Sequence, residues 1–129
     1  MEILVHNAST TKFTSKLLDI VTSAVSKEEV HYTREIDAFT KALLKYRIEE
    51  PIVIIRVFSV TEITIIKTLQ DLFDGLYLII VTDSTNVDLL KSCRLLYPRL
   101  LVSNKKDYEL IDVVIKKCLE NRKSQPLQY

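Results

Sequence analysis

Glycine is almost missing: Gly75 is the only one in 129 residues. A single glycine cannot build a glycine-rich phosphate loop, so nucleotide binding of that kind is excluded. Tryptophan is absent too. Without it or a glycine-rich turn, flavin chemistry is disfavoured, although Asn7-Ala8-Ser9-Thr10-Thr11 carries hydroxyls that could touch a phosphate. Cysteine is scarce: Cys93 and Cys118 both fall in helical patterns and read as small buried hydrophobes rather than a disulfide. Together with His6 and His31 they make no zinc spacing, so no metal and no cofactor is expected. Excess charge is missing as well. Eighteen basic residues face seventeen acidic ones, for a formal net charge of +1. The lysines and arginines are spread among acids, which argues against a nucleic-acid partner or an acidic membrane surface. No apolar run approaches a bilayer span, and the first residues lead straight into a strand pattern with no charged leader. The expected setting is therefore cytoplasmic.

What is present is a set of short, β-branched apolar runs. The most pronounced is Pro51-Ile-Val-Ile-Ile-Arg-Val-Phe-Ser59. It is too short for a helix and nearly all apolar, as a strand buried on both faces must be. Ile3-Leu4-Val5, Leu78-Ile79-Ile80-Val81 and Leu100-Leu101-Val102 read the same way. Val30 and Tyr32 alternate with His31 and Thr33, the pattern of a half-exposed edge strand.

Helical periodicity fills the intervals. Ser9 or Thr10 is placed to cap a first helix with the stripe Phe13, Leu17, Ile20, Val21 and Ala24. Asp37 is placed to cap a second, built on Phe39, Ala42, Leu43 and Tyr46. Thr61 and Glu62 open a third, which carries Ile63, Ile66, Leu69, Leu72 and Phe73 and ends at Gly75. Ser84 or Thr85 opens a fourth with Leu89, Leu90, Cys93 and Leu96. Asp107 is placed to cap a fifth, built on Leu110, Ile111, Val114, Ile115 and Cys118.

Strands alternating with helices at this spacing predict an α/β fold: a doubly wound five-stranded parallel sheet of flavodoxin-like type, with strand order 2-1-3-4-5. Ligands of such sheets bind at the carboxyl ends of the strands, beside the switch point between the first and third. The residues that fall there are His6, Asn7, Ser9, Arg56, Thr82 and Asp83. Arg56 is the least expected, because a charge ending a buried strand must be paired or reach solvent, and Asp83 is its natural neighbour. No nucleophile, base and orienting group can be assembled around His6, so an enzyme is not expected.

In length, element order and local pattern the chain resembles the receiver domain of bacterial response regulators. Ile3-Leu4-Val5-His6-Asn7-Ala8 stands where that family has an apolar strand and two aspartates. Pro51 to Val57 stands where it has the aspartate that accepts phosphate. Val81-Thr82 matches the hydroxyl that ends its fourth strand, and Ser103 to Lys106 stands where it has a conserved lysine and a cis proline. The resemblance covers roughly Glu2 to Asn121 and implies a receiver-like domain over residues 1–121 with a polar tail over 122–129. The chemistry departs. Receiver phosphorylation needs a carboxylate nucleophile and acids that hold Mg²⁺. Asn7, Ala8 and Val57 supply none, so the resemblance implies a divergent pseudo-receiver.

A domain of this kind is expected to act through protein contacts, with a protein partner or as a homodimer. In receivers the fourth helix, fifth strand and fifth helix carry such contacts. Val87, Leu89, Leu96 and Tyr97 are the expected interface residues, because the fourth helix is apolar on more than one side. The alternative is a sensor of a small ligand or anion at the carboxyl-end crevice, through Asn7, Ser9, Arg56, Thr82 and Asp83.

Overall fold

The structure, a computed structural model, describes residues 1–8 and 12–124. Five strands run in the order β1 (Ile3–Asn7), β2 (Val30–Thr33), β3 (Ile52–Arg56), β4 (Tyr77–Val81) and β5 (Leu100–Val102). Between and after them lie α1 (Lys12–Ala24), α2 (Ile36–Tyr46), α3 (Val60–Lys67), α4 (Val87–Arg94) and α5 (Tyr108–Ser124). All pairings are parallel, and the sheet order is β2-β1-β3-β4-β5. This is the doubly wound order expected from the sequence.

Period-two alternation along the buried strands divides the core into two layers. Leu4, Val53, Ile55, Leu78 and Ile80 face α2, α3 and α4, where Phe39, Leu43, Ile63, Ile66 and Leu89 meet them. Ile3, Val5, Ile52, Ile54, Ile79 and Val81 face α1 and α5, where Leu17, Val21, Ile111 and Ile115 meet them. Burial on both faces is what makes β1, β3 and β4 read as unbroken apolar runs. No helix among the described residues is long and apolar enough to cross a membrane.

β2 is the expected half-exposed edge strand: all four residues are partly exposed, and Val30 and Tyr32 share the α1–α5 face. The edge is covered incompletely on both sides, with His31 stacked on Tyr46 of α2 and Tyr32 packed against the α1–α5 layer. Several local expectations shift. The second helix starts at Ile36 after Glu35, so Asp37 lies in the first turn rather than at the cap. α3 is capped by Ser59, whose hydroxyl accepts from Glu62 N at 3.2 Å, while Glu62 Oε1 accepts from Phe58 N at 3.3 Å. Ser59 is thereby the cap, which displaces Thr61 from the role. α3 also stops at Lys67 and gives way to a 3-10 turn at Gln70–Phe73. Its β-branched residues have low helix propensity, and Thr68 Oγ1 ties itself to the carbonyl of Ile65 at 2.6 Å.

α4 is capped by Asn86, whose Oδ1 accepts from the backbone N–H of Asp88 and Leu89, not by Ser84 or Thr85. Asp107 sits in a 3-10 turn ahead of α5. α5 runs to Ser124, into the stretch read as a tail, and Arg122 donates to the carbonyls of Glu49 and Glu50. Ser9 and Thr10, expected at the first helix cap, lie outside the described residues.

Tyr97 has φ of 52°, the left-handed region that costs a residue with a Cβ roughly 1–2 kcal/mol. Its side chain is 80% exposed and returns little of that cost. Tyr97→Gly should therefore raise unfolding stability by about 1 kcal/mol and Tyr97→Val should lower it. Urea unfolding midpoints check both; a Gly variant less stable than the parent would contradict the account.

Candidate functional site at the carboxyl ends of the strands

Parallel register brings four candidate residues to the ends of neighbouring strands. Asn7 ends β1 opposite Arg56, which ends β3 opposite Val81, and Thr82 and Asp83 follow at once. Asn7, Arg56 and Thr82 are all buried. Val57 N donates to Val81 O and Thr82 N to Val102 O, so the ladder holds the lip rigid beyond the last paired residues. Thr82 Oγ1 accepts from Ser84 N at 3.2 Å, which turns the chain toward α4. Tyr32 Oη donates to the carbonyl of Asn7 at 3.1 Å. Ser9, the remaining expected site residue, lies outside the described residues.

Arg56 dominates the electrostatics, with only 1% of its surface exposed. Its Nη2 donates to Asp83 Oδ2 at 2.5 Å, and its Cζ lies 4.1 Å from the centre of the Phe58 ring. The other oxygen of Asp83, Oδ1, accepts from Tyr108 Oη at 3.1 Å. Burial, reinforced by the negative charge of Asp83, pushes the Tyr108 phenol up to about 12. Tyr108 therefore remains a neutral donor. Three segments meet here: the end of β3, the turn after β4, and the first residue of α5. The expected pairing of Arg56 with Asp83 is present. Tyr108 was not anticipated. Its spacing from Ile111 and Ile115 marks it as a core position, but nothing local says that its hydroxyl ends on Asp83.

His6 sits on the other face of the sheet. Its ring stacks on Phe39 at 4.6 Å between centroids, and Nδ1 is 3.0 Å from Thr33 Oγ1. Burial pulls its pKa down to about 4, so the imidazole is neutral at neutral pH. Cys93 and Cys118 are free, and burial raises both thiols, Cys93 to about 11. Neither is a thiolate nucleophile at neutral pH. Among the described residues, no group of three or more His, Cys, Asp or Glu could hold a metal ion.

The expected interface residues divide. Val87 and Tyr97 are exposed. Leu89 and Leu96 are only 1% and 6% exposed and belong to the core beneath α4, so they cannot form a contact surface. Val87 stands two residues before Leu89 and Tyr97 one residue after Leu96, so each turns away from the buried stripe of Leu89, Cys93 and Leu96. Leu95 is exposed beside Tyr97.

Known proteins add the following. No family model matches the chain, and no curated protein matches it by sequence. Two solved structures match its fold. A response regulator from Thermotoga maritima aligns over 93% of this chain and 99% of its own, with a TM-score of 0.57 and 13% identity. The chain has a receiver-like fold. A pilus assembly-related protein from Burkholderia pseudomallei aligns over 93% of this chain and 90% of its own, with a TM-score of 0.63 and 17% identity. At such identities the shared property is the receiver-like fold alone.

Two consequences can be measured. Asp83→Ala leaves a buried guanidinium without its carboxylate and should cost about 3 kcal/mol, whereas Tyr108→Phe should cost about 1 kcal/mol. Denaturant unfolding gives both; equal, near-zero values would show that the bridge is not held in solution. The depressed pKa of His6 means that the folded state resists its protonation. Stability should be full above the unfolded value of 6.5 and fall as pH drops toward about 4, by on the order of 2–3 kcal/mol. His6→Gln should remove that part of the slope; an unchanged slope would assign it to other groups.

Proposed function

We propose that this chain is a receiver-like signalling module that takes up no phosphate and acts through protein contacts. The observation that supports it most is Arg56. A buried cation, closed by Asp83, stands beside the position where receivers carry the aspartate that accepts phosphate. Asn7 and Ala8 stand where receivers carry Mg²⁺-binding acids. An arginine bound to a carboxylate is a fixed charge and cannot be switched by a phosphodonor. The module is read as non-enzymatic: His6 is neutral and tied to Thr33, and the cysteine thiols are protonated. Free cysteines suit a cytoplasmic setting.

The contact surface is assigned to α4, β5 and α5, with a protein partner or a second copy of the chain. Val87, Leu95 and Tyr97 on and after α4 and Leu110 and Val113 on α5 supply exposed apolar side chains there. A stable contact would bury about 1,000 Å² or more in total.

Two measurements test the reading. After incubation with acetyl phosphate and Mg²⁺, the intact mass should be unchanged; a singly phosphorylated species mapped to the lip would overturn it. The double substitution Val87→Glu and Tyr97→Glu should lower the sedimentation mass, or abolish partner capture, without lowering the melting temperature. Unchanged assembly in that variant would remove α4 from the contact surface.

A further inference from the structure

A separate cavity of about 200 Å³ opens on the α2–α3 side of the sheet. His6, Ile36, Val57, Ile65 and Ile66 line it, together with Ala8 and four charged side chains: Arg34, Glu35, Arg56 and Glu62. Three observations bear on what it can hold.

The first is the imidazole. His6 is only 5% exposed, yet it lines the cavity. Stacking on Phe39 fixes the plane of its ring, and Thr33 Oγ1 takes Nδ1. The contact with Thr33 engages Nδ1 and leaves Nε2 as the second polar atom of the imidazole. A ring held this firmly presents Nε2 in one direction, and the Nδ1 contact decides whether that atom donates or accepts.

The second is the apolar wall. Ile36, Val57, Ile65 and Ile66 offer only aliphatic surface, from three different segments. An enclosed apolar cavity of about 150 Å³ accommodates benzene. The present volume suits a single ring or branched chain with one substituent or two.

The third is charge. Arg34 and Arg56 line the cavity along with Glu35 and Glu62, so cations and carboxylates balance. Arg56 is held by Asp83, and Glu62 accepts from Phe58 N. Arg34 and Glu35 are exposed neighbours of opposite charge, so this rim carries no net charge to draw an ion out of water. That separates the cavity from a phosphate or carboxylate site.

We propose that this crevice binds a small uncharged molecule, with an apolar ring or branched chain against the isoleucines and one hydrogen-bonding group on His6 Nε2. A phenolic or alcoholic hydroxyl fits either tautomer, because it can both donate and accept. The site does not depend on the contact surface at α4 and α5, and either can fail alone.

The test is a titration of the full chain at neutral pH, followed by NMR shifts of His6 and the Ile65 and Ile66 methyl groups. The probe is p-cresol, with toluene, benzoate and inorganic phosphate as comparisons. Saturable p-cresol shifts are expected, with toluene weaker by about tenfold, the value of one unmade hydrogen bond, and benzoate weaker still because its charge must leave water. Phosphate should leave these signals unmoved. Ile65→Trp, at a half-exposed position, should fill the cavity and abolish binding. His6→Phe keeps the stack on Phe39 and should reduce p-cresol to the level of toluene. Non-saturating shifts, equal binding of p-cresol and toluene in the parent, tighter binding of benzoate or phosphate, or unchanged binding in Ile65→Trp would each overturn the proposal.

Discussion

A guanidinium without solvent at the end of a central strand must be neutralised, and the upper edge of this molecule is arranged around that requirement. Arg56 is surrounded by the strand ends that form the lip. The turn after β4 bends so that Asp83 reaches it, and α5 begins with the tyrosine that takes the other oxygen of Asp83. Phe58 covers the flat face of the guanidinium. Such a pair adds little net stability compared with an apolar replacement, but half of it is costly to remove. Its effect is to join β3, the β4–α4 turn and α5 into one unit.

The rest of the chain supplies the rigidity that this arrangement needs. Two apolar layers, one under α2, α3 and α4 and one under α1 and α5, clamp the sheet from both sides. Parity along β3 then decides what each lip residue can meet. Arg56 shares the face of Ile52 and Ile54, toward α1 and α5, and so finds Tyr108. His6 shares the face of Leu4, toward α2, and so finds Phe39. The Arg56–Asp83 contact and the His6 stack therefore lie on opposite faces of the sheet, although Arg56 also lines the cavity beside His6.

This separation bears on function. At the lip, the Arg56–Asp83 ion pair occupies the end of the central strand. What remains adaptable lies elsewhere: the apolar side chains exposed on α4 and α5, and the small cavity beside His6.

The sequence by itself determined the class of fold. Strands as apolar as Ile52 to Ile55 have to be covered on both faces, and the helical spacing between them leaves the doubly wound order as the solution. It also determined that Asn7, Ala8 and Val57 carry no carboxylate. Arg56 stood out for the same reason, and its partner Asp83 was close enough in pattern to be named. Only the tertiary structure decided that Tyr108 joins them, since a position 25 residues beyond Asp83 is brought near by the packing of α5 and not by any local signal. It alone decided that Leu89 and Leu96 are core while Val87 and Tyr97 are surface, because an eight-residue helix carries too few turns for periodicity to settle its phase. The helix starts were the least legible. Serine, threonine, asparagine and aspartate compete within a few residues of each, and the winner is whichever side chain the incoming turn aims at the free N–H groups.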